Sequence, residues 1–529
     1  MEIISINKNN IDLLKKFNSN ILPVSFRYFK TRNLDCIKNH VLTLIGSINN
    51  KPISYAHIDN EENINWIGIC VLNEYQSKGY GKKLFEYVIN YIYTNNISNV
   101  QLSVDISNYK ALNLYLKYGF KVNHIKKDIY IMQLNSNNIF LNVSLGEALD
   151  KLTILHIKLE KITDSRKKDV EYEYNILNKE LNTYVINYNY YYKLLKKINL
   201  NIWEMQDDFR YNKGDKVKLC FKIIEENDRR FRIKKKINDA ANSSIKEQKG
   251  YNIKKAFVLT HLGLGDNITA NGMVRYLSSK YDQVVVVVKH NNLSNLKQLY
   301  SDDQSIKFYP IHNDIEISPY FGCPIDKFNE ITKDHDVYSC GFHKHSLNIN
   351  YGDNNLYDLP FSFYNDVDVP ISAFWEYFHV PTLSEAENLY EIVKNIDNYI
   401  FVHNTSSNGN VFSIEFIEEK FNINRQNTLI INPCKNVYNN NDKFFEVAQL
   451  VLNKSLLEYK LIIENANKII LSDSSFMCMA INLENKTDEC YIYQRDYKWN
   501  NKPFMYEHMW NNKYIFDKSL KRKIFKCLN

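Results

Sequence analysis

Apolar positions change their period as this 529-residue chain proceeds. Up to residue 135, short apolar runs alternate with helical spacing. The pattern predicts a helix over 9–17, then strands over 40–48 and 53–58 joined by the turn Asn49-Asn50-Lys51-Pro52. Further strands are predicted over 64–72, Val100–Val104 and Tyr130–Leu134. After the strand at 64–72, Leu84, Phe85, Val88, Ile89 and Ile92 share one helical face. A second helix runs from about 108 and ends at Gly119.

From 136 to 250 the period is helical throughout and proline is absent. Leu145, Ala148, Leu149, Leu152, Leu155, Leu159 and Ile162 recur at three- and four-residue steps, and Asp164-Ser165 interrupts the run. A second run passes through Leu177, Leu181 and Val185 to Leu195. After 251, strands return at Lys255–Thr260, Gln283–Lys289, Asn398–His403, Thr428–Asn432 and Asn467–Leu471, separated by helical stretches. The expected architecture is multidomain α/β: an α/β domain over 1–135, an all-α module over 136–250 and a second α/β domain over 251–529.

Composition narrows the partners. Apolar residues make up 44%, enough for real cores, and 67 basic against 60 acidic residues leave a net charge of +7. That mild excess suits phosphorylated small molecules and does not call for nucleic acid. The densest basic stretch, Arg229 to Lys236, reads as a solvated helix face. The nine cysteines include no Cys-x-x-Cys pair, which points to free thiols in a reducing compartment. No run reaches the ~18 apolar residues of a membrane span, and MEIISINKNN lacks a signal-peptide core. The expectation is a soluble, cytoplasmic protein. The excess of Asn, Ile and Lys reads as an AT-rich source.

The chemistry begins at residues 69–93. An apolar run, Ile69 to Leu72, leads into Gln76-Ser77-Lys78-Gly79-Tyr80-Gly81 and then the helix. Strand, glycine-bearing loop, helix is an order that aims backbone N–H groups at an anion, and Lys78, Lys82 and Lys83 add positive charge. The loop resembles the Gln/Arg-x-x-Gly-x-Gly/Ala acetyl-CoA loop of the GNAT N-acetyltransferases. Asn108-x-x-Ala111-x-x-Leu114-Tyr115-x-x-x-Gly119-Phe120 resembles that family's second motif. The resemblance implies a GNAT fold in which the strand at 64–72 splays from its neighbour. It implies that acetyl-CoA binds to Cys70, Val71, Leu72, Gln76, Ser77, Lys78, Gly79, Tyr80, Gly81, Lys82 and Asn108, and that Tyr115 protonates the leaving thiolate.

The attacking amine needs a base. His57 and Asp59 fall on one face of a strand. His57 is the first candidate, because imidazole titrates near neutrality, and Asp59 is the second; a packed histidine is the bland alternative. Ser25 to Phe29, with Asn39-His40 and Tyr55 to Asp59, resembles a GNAT subgroup found among sugar-modifying genes. That implies an acceptor pocket of Arg27, Tyr28, His40, His57 and Trp66 and a nucleotide-linked 4-amino-4,6-dideoxyhexose as acceptor.

The middle segment, from Val143-Ser144-Leu145-Gly146-Glu147-Ala148 onward, resembles a small helical family of unknown function from bacterial surface-polysaccharide loci. Its Glu147, Asp150 and Lys151 read as structural ion pairs. The last segment resembles GT-B glycosyltransferases of the heptosyltransferase type. On that resemblance Gly263, Gly265 and Asp266 sit at the acceptor side, with Asp266 a base or a helix N-cap. Asp473, Ser474 and Ser475 would hold the donor's phosphates, or cap a helix. The implied partners are a nucleotide-sugar donor and a glycan acceptor. No third ligand accompanies His343 and His345, so no metal is expected. Composition and domain set together suggest a large DNA virus decorating its own surface, which would place the protein in the host cytoplasm.

Overall fold

The computed structural model describes residues 1–7, 10–134, 142–250, 252–344, 359–406, 409–410, 412–493 and 526–528. The chain divides into two compact units, Met1–Asn142 and Val143–Asn529.

The first unit is built on a seven-stranded sheet ordered β1-β2-β3-β4-β5-β7-β6. Its strands are β1 (Glu2–Ser5), β2 (His40–Ile48), β3 (Lys51–Glu61), β4 (Ile64–Val71), β5 (Val100–Asp105), β6 (Phe120–Lys126) and β7 (Ile129–Leu134). The helices are α1 (Ile11–Asn18), the single turn α2 (Tyr28–Thr31), α3 (Tyr80–Thr94) and α4 (Tyr109–Lys117). Side chains alternate across the sheet. Leu44, Ala56, Ile58 and Leu102 pack against Leu84, Phe85, Val88 and Ile89 of α3 on one face. Ile45, Tyr55 and Cys70 pack against Leu14 and Phe17 of α1 on the other.

Among the described residues β4 and β5 are the only parallel neighbours in this sheet, and they pair only at Asn65↔Val100, Trp66↔Gln101 and Ile67↔Leu102. Beyond Ile67 the two strands part, while β4 stays paired with β3 to Val71. A wedge therefore opens on one edge of Gly68–Val71, just before the glycine loop. Strands β1 and β6 are additions to the predicted set.

The second unit opens with four helices, α5 (Leu145–Lys161), α6 (Lys167–Asn187), α7 (Asn189–Arg210) and α8 (Lys216–Ala240). Ser144 caps α5 by accepting the Glu147 N–H. A parallel sheet ordered β10-β9-β8-β11 follows, from β8 (Lys255–Leu259), β9 (Gln283–Lys289), β10 (Ile306–Ile311) and β11 (Asp336–Ser339). A second parallel sheet contains the strands Leu429–Ile431, Tyr399–His403, Lys468–Ser472, Cys490–Tyr493 and Lys526–Leu528, in that spatial order. Helices and both sheets share one apolar core: Leu149 and Ile237 belong to the same buried cluster as Val258, Val286, Phe401 and Ile470.

The basic stretch of α8 departs from expectation. Arg229, Arg232, Lys234 and Lys236 are 6, 4, 8 and 6% exposed, so this is no solvated face. Each meets a carboxylate: Arg229 meets Glu226, Arg232 meets Asp282 at 2.9 Å, Lys234 meets Glu147 at 2.7 Å and Lys236 meets Asp303 at 2.7 Å. Burial without such partners would cost several kcal/mol per ion. Glu147, Asp150 and Lys151 are ion-paired as expected, with Lys234, Arg230 and Glu173. Among the described residues no helix is long and apolar enough to cross a membrane.

Candidate active site

The wedge and the loop after it form one continuous feature. Gly79 is the N-cap of α3 at φ +82°, with no side-chain cap. Ser77 also has positive φ, +61°. Such a backbone leaves the first N–H groups of α3 without intrahelical partners. A Cβ at Gly79 would have nothing within 4 Å, so a cradle stands open in front of those N–H groups. Uncapped N–H groups at a helix start suit an anion such as a pyrophosphate.

The surrounding residues hold the loop in place. The Gln76 amide donates to the Val71 carbonyl at 3.1 Å and ties the loop to the end of β4. The Leu72 N–H donates to the Ile53 carbonyl at 3.0 Å. Amides alternate direction along a strand, so of Cys70, Val71 and Leu72 it is Val71 whose N–H faces the wedge. Cys70 turns its thiol into the α1-side core, where burial pushes it up to about 12.

The charges are distributed differently from the simple lysine count. Lys82 pairs with Glu86 at 3.8 Å, and Lys83 donates to the Met1 carbonyl at 3.0 Å. Lys78 lies over the Tyr75 ring, 5.6 Å from its centroid. Lys110, not anticipated from the sequence, reaches the loop and donates to Ser77 Oγ at 2.9 Å. Its position two residues after Asn108 was the available signal. Asn108 caps α4 by accepting the Ala111 N–H at 3.2 Å.

Tyr115 lies between α3 and β6, with its ring 5.1 Å from that of Phe85 and 6.2 Å from that of Phe120. Burial pushes its phenol up to about 12, which keeps the proton in place at neutral pH.

On the α1 face, β3 and β2 bring the acceptor candidates together. The Tyr28 hydroxyl donates to Asp59 Oδ2 at 2.5 Å and lies 2.6 Å from His40 Nε2. Burial is the main cause that lifts the Tyr28 phenol far above its usual range, aided by Asp59. His40 Nδ1 meets Thr43 Oγ1 at 2.8 Å. The His57 ring lies 3.9 Å from the Tyr28 ring and 4.8 Å from that of His40. It rests on Gly68, where a Cβ would fall 2.1 Å from His57 Cε1. Burial drives its pKa well below the ordinary imidazole value. His57 is therefore roofed by Tyr28 and shut off from a direct approach.

Two further placements differ from the expected pocket. Arg27 is ion-paired with Asp105 of β5 at 2.7 Å, so its guanidinium is already matched. Arg32, not anticipated, sits over the Tyr28 ring at 4.6 Å and pairs with Glu61 at 2.6 Å. Trp66 is half-buried opposite Asp59 in the β3–β4 register.

In the second unit, the loops after β8 and after Lys468–Ser472 converge. Gly265 packs on the helix Ser475–Ala480: a Cβ there would sit 3.3 Å from Cys478 Sγ and 3.8 Å from Ser475 Cα. Burial raises Asp266 to about 6, against the lowering effect of the Gly263 N–H, and the charge of Asp473 adds to the rise. Ser474 Oγ lies 3.0 Å from Nδ1 of His403. His343 meets Ser318 Oγ at 2.7 Å through Nδ1, and His345 lies outside the described residues.

Comparison with known proteins agrees with the first unit. Residues 12–120 match the Acetyltransferase (GNAT) family, and residues 139–258 match a Family of unknown function (DUF6165). N-alpha-acetyltransferase 50 of Danio rerio is 27% identical over 138 residues, 25% of this chain and 80% of that protein. The probable N-acetyltransferase san of Drosophila melanogaster is 29% identical over 136 residues, 25% of this chain and 73% of its own. Among solved structures, the ribosomal-protein-S18-alanine N-acetyltransferase of Escherichia coli is 20% identical, covers 26% of this chain and 99% of that one, and has a TM-score of 0.20. A putative acetyltransferase of Salmonella typhimurium, yncA, solved with acetyl-CoA, is 17% identical over 27% of this chain and 98% of that one, with a TM-score of 0.22. With the loop, the wedge and the family match in agreement, the N-terminal unit carries an acetyltransferase domain of the GNAT family.

Proposed function

We propose that residues 1–134 transfer an acetyl group from acetyl-CoA to a primary amine, and that the amine belongs to a nucleotide-linked amino sugar, a 4-amino-4,6-dideoxyhexose. The observation that carries the reading is the wedge between β4 and β5 opening directly onto the uncapped start of α3. The CoA pyrophosphate meets the N–H groups of Tyr80, Gly81 and Lys82, with Lys78 and Lys110 beside it. The pantetheine arm runs along the open edge of β4. The thioester carbonyl accepts the Val71 N–H, which strengthens as the amine adds and the oxygen becomes an oxyanion. Tyr115 gives its proton to the departing thiolate. The amine's proton passes to Asp59, directly or through the Tyr28 hydroxyl, and His57 holds Tyr28 from below.

A second acceptor class, the α-amine of a peptide, is favoured by one observation: both curated relatives above are N-acetyltransferases, one of them an N-alpha-acetyltransferase. The loop chemistry is the same for both. For the second unit we propose a GT-B-like domain that moves a sugar from a nucleotide donor to a glycan. Its support is the meeting of two parallel sheets' loops at Asp266 and Asp473.

The test is the full-length chain with acetyl-CoA, read by thiol release and product mass, against nucleotide-linked amino sugars and N-terminal peptides in parallel. Acetylation of sugar amines alone supports the first acceptor. Turnover of peptides alone replaces it with the second. No thiol release with either class refutes the acetyl-transfer reading.

A further inference from the structure

The α1 face of the first unit gathers more donor atoms than moving one proton requires. His57 and Asp59 stand two residues apart on β3, and His40 of β2 pairs with Asp59 in register. One donor atom from each of His40, His57 and Asp59 lies within 4.8 Å of the other two. The Tyr28 hydroxyl sits among them, 2.6 Å from His40 Nε2 and 2.5 Å from Asp59 Oδ2. The Cys36 thiol lies close enough to the same phenol to raise its pKa further.

Two atoms of this cluster are orphans. His57 Nδ1 and Asp59 Oδ1 are buried without a hydrogen-bond partner, on residues 2% and 3% exposed. Buried polar atoms are nearly always matched, and an unmatched one calls for a missing water or ion. An imidazole nitrogen and a carboxylate oxygen left unmatched in one buried cluster can both be satisfied by a cation, as they can by a water.

We propose that His40, His57 and Asp59, with the Tyr28 phenol as fourth donor, form a tetrahedral Zn²⁺ site. Two imidazoles and a carboxylate are donors that zinc takes readily, whereas magnesium and calcium prefer oxygen alone. At bond lengths of about 2.0–2.2 Å, tetrahedral donors stand roughly 3.3 Å apart. The cluster reaches that spacing when its widest pair closes by about 1.5 Å. The Tyr28 oxygen lies against both His40 Nε2 and Asp59 Oδ2. It moves to a corner as the ion enters and releases its proton to solvent, so that Zn²⁺ and phenol become zinc phenolate and H⁺. The His40 Nδ1–H donates to Thr43 Oγ1 and so leaves the Nε2 lone pair for the ion, the outer support typical of ligating histidines. Two ligands on one strand and one on its hydrogen-bonded neighbour give a rigid scaffold. This site stands whichever amine the domain acetylates; with the ion bound, Asp59 and Tyr28 are ligands and the amine's proton leaves through water instead of through them.

The full-length chain is stripped with a chelator, dialysed against ZnCl2 and assayed for zinc per chain by mass spectrometry. One equivalent is expected in the wild type. Asp59→Asn and His40→Ala should bind at least tenfold more weakly, and His124→Ala, on the exposed strand β6, should bind as the wild type does. Zinc should raise the thermal midpoint of the wild type and leave that of Asp59→Asn unmoved. Co²⁺ added to the stripped wild type should give the intense visible absorption of a four-coordinate ion, a readout that stands if a variant fails to fold. No retained zinc, zinc unchanged in both variants, or a weak six-coordinate cobalt spectrum would each overturn the site.

Discussion

Asp266 is the place where structure makes its sharpest quantitative demand. Its carboxyl ionises near 6 in the folded chain instead of 3.8, mainly because it is buried. A group whose pKa is raised on folding favours the folded state while protonated and opposes it once ionised. The penalty is absent below pH 4, grows through the interval to about 6, and is constant above it. A shift of about 2 units corresponds to about 3 kcal/mol. Partial exposure of the residue reduces the figure to roughly 1–2 kcal/mol. Asp266→Asn keeps an oxygen to accept the Gly263 N–H and carries no charge to bury. The variant should therefore be more stable than the wild type by about 1–2 kcal/mol at pH 8 and equal to it at pH 4. Urea unfolding of the full chain at both pH values, followed by fluorescence, measures the difference. An equal effect of the substitution at both pH values would refute the argument, because a neutral contact has no reason to follow pH. A carboxylate kept at such a cost is the pattern expected of a functional group. The same variant should lose any sugar transfer the second unit performs.

Gly79→Ala meets no steric obstacle but must hold φ +82°, a strain of about 1–2 kcal/mol for a side-chain-bearing residue. KM for acetyl-CoA should rise about tenfold in steady-state assays, with kcat changed less. Tyr115→Phe keeps the ring packing on Phe85 and removes the hydroxyl proposed as the acid. kcat should fall about 10²-fold or more while the thermal midpoint stays within a few degrees, as paired kinetic and melting measurements can check. Lys236→Met strands Asp303 in the core and should cost about 3–5 kcal/mol in denaturant unfolding. Adding Asp303→Asn should recover part of that loss.

Much of the first unit was legible because its signals are local. The glycines at 79 and 81, the apolar face of α3 and the period of β3 each sit within a few residues of the structure they dictate. Strand β6 escaped notice because six of its seven residues are exposed, so no apolar alternation betrays it. Strand β1 has only four residues. The charged face of α8 was misread for a different reason. A sequence displays its cations without their partners, and Arg232 and Lys236 meet carboxylates at positions 282 and 303. The ion pair of Arg27 was hidden for the same reason, since Asp105 is far along the chain from it. The wedge between β4 and β5 followed only from family resemblance, because nothing in the residues at 68–71 says where pairing with β5 stops.

The ion pairs of α8 also bear on how such a gene can be cut and joined. Arg232 and Lys236 are neutralised by residues of the sheet that follows, and Tyr191 of α7 donates to the Asp302 carboxylate at 2.8 Å. A coding sequence ended near residue 250 would leave these groups facing water or one another without their counter-charges. The helices and the sheet must be inherited as one cassette. The seam tolerant of recombination lies at Asn142–Val143, where the acetyltransferase unit ends. Acetyltransferase partners could be exchanged at that seam over evolution, whereas the helical segment and the sheet after it would diverge only together.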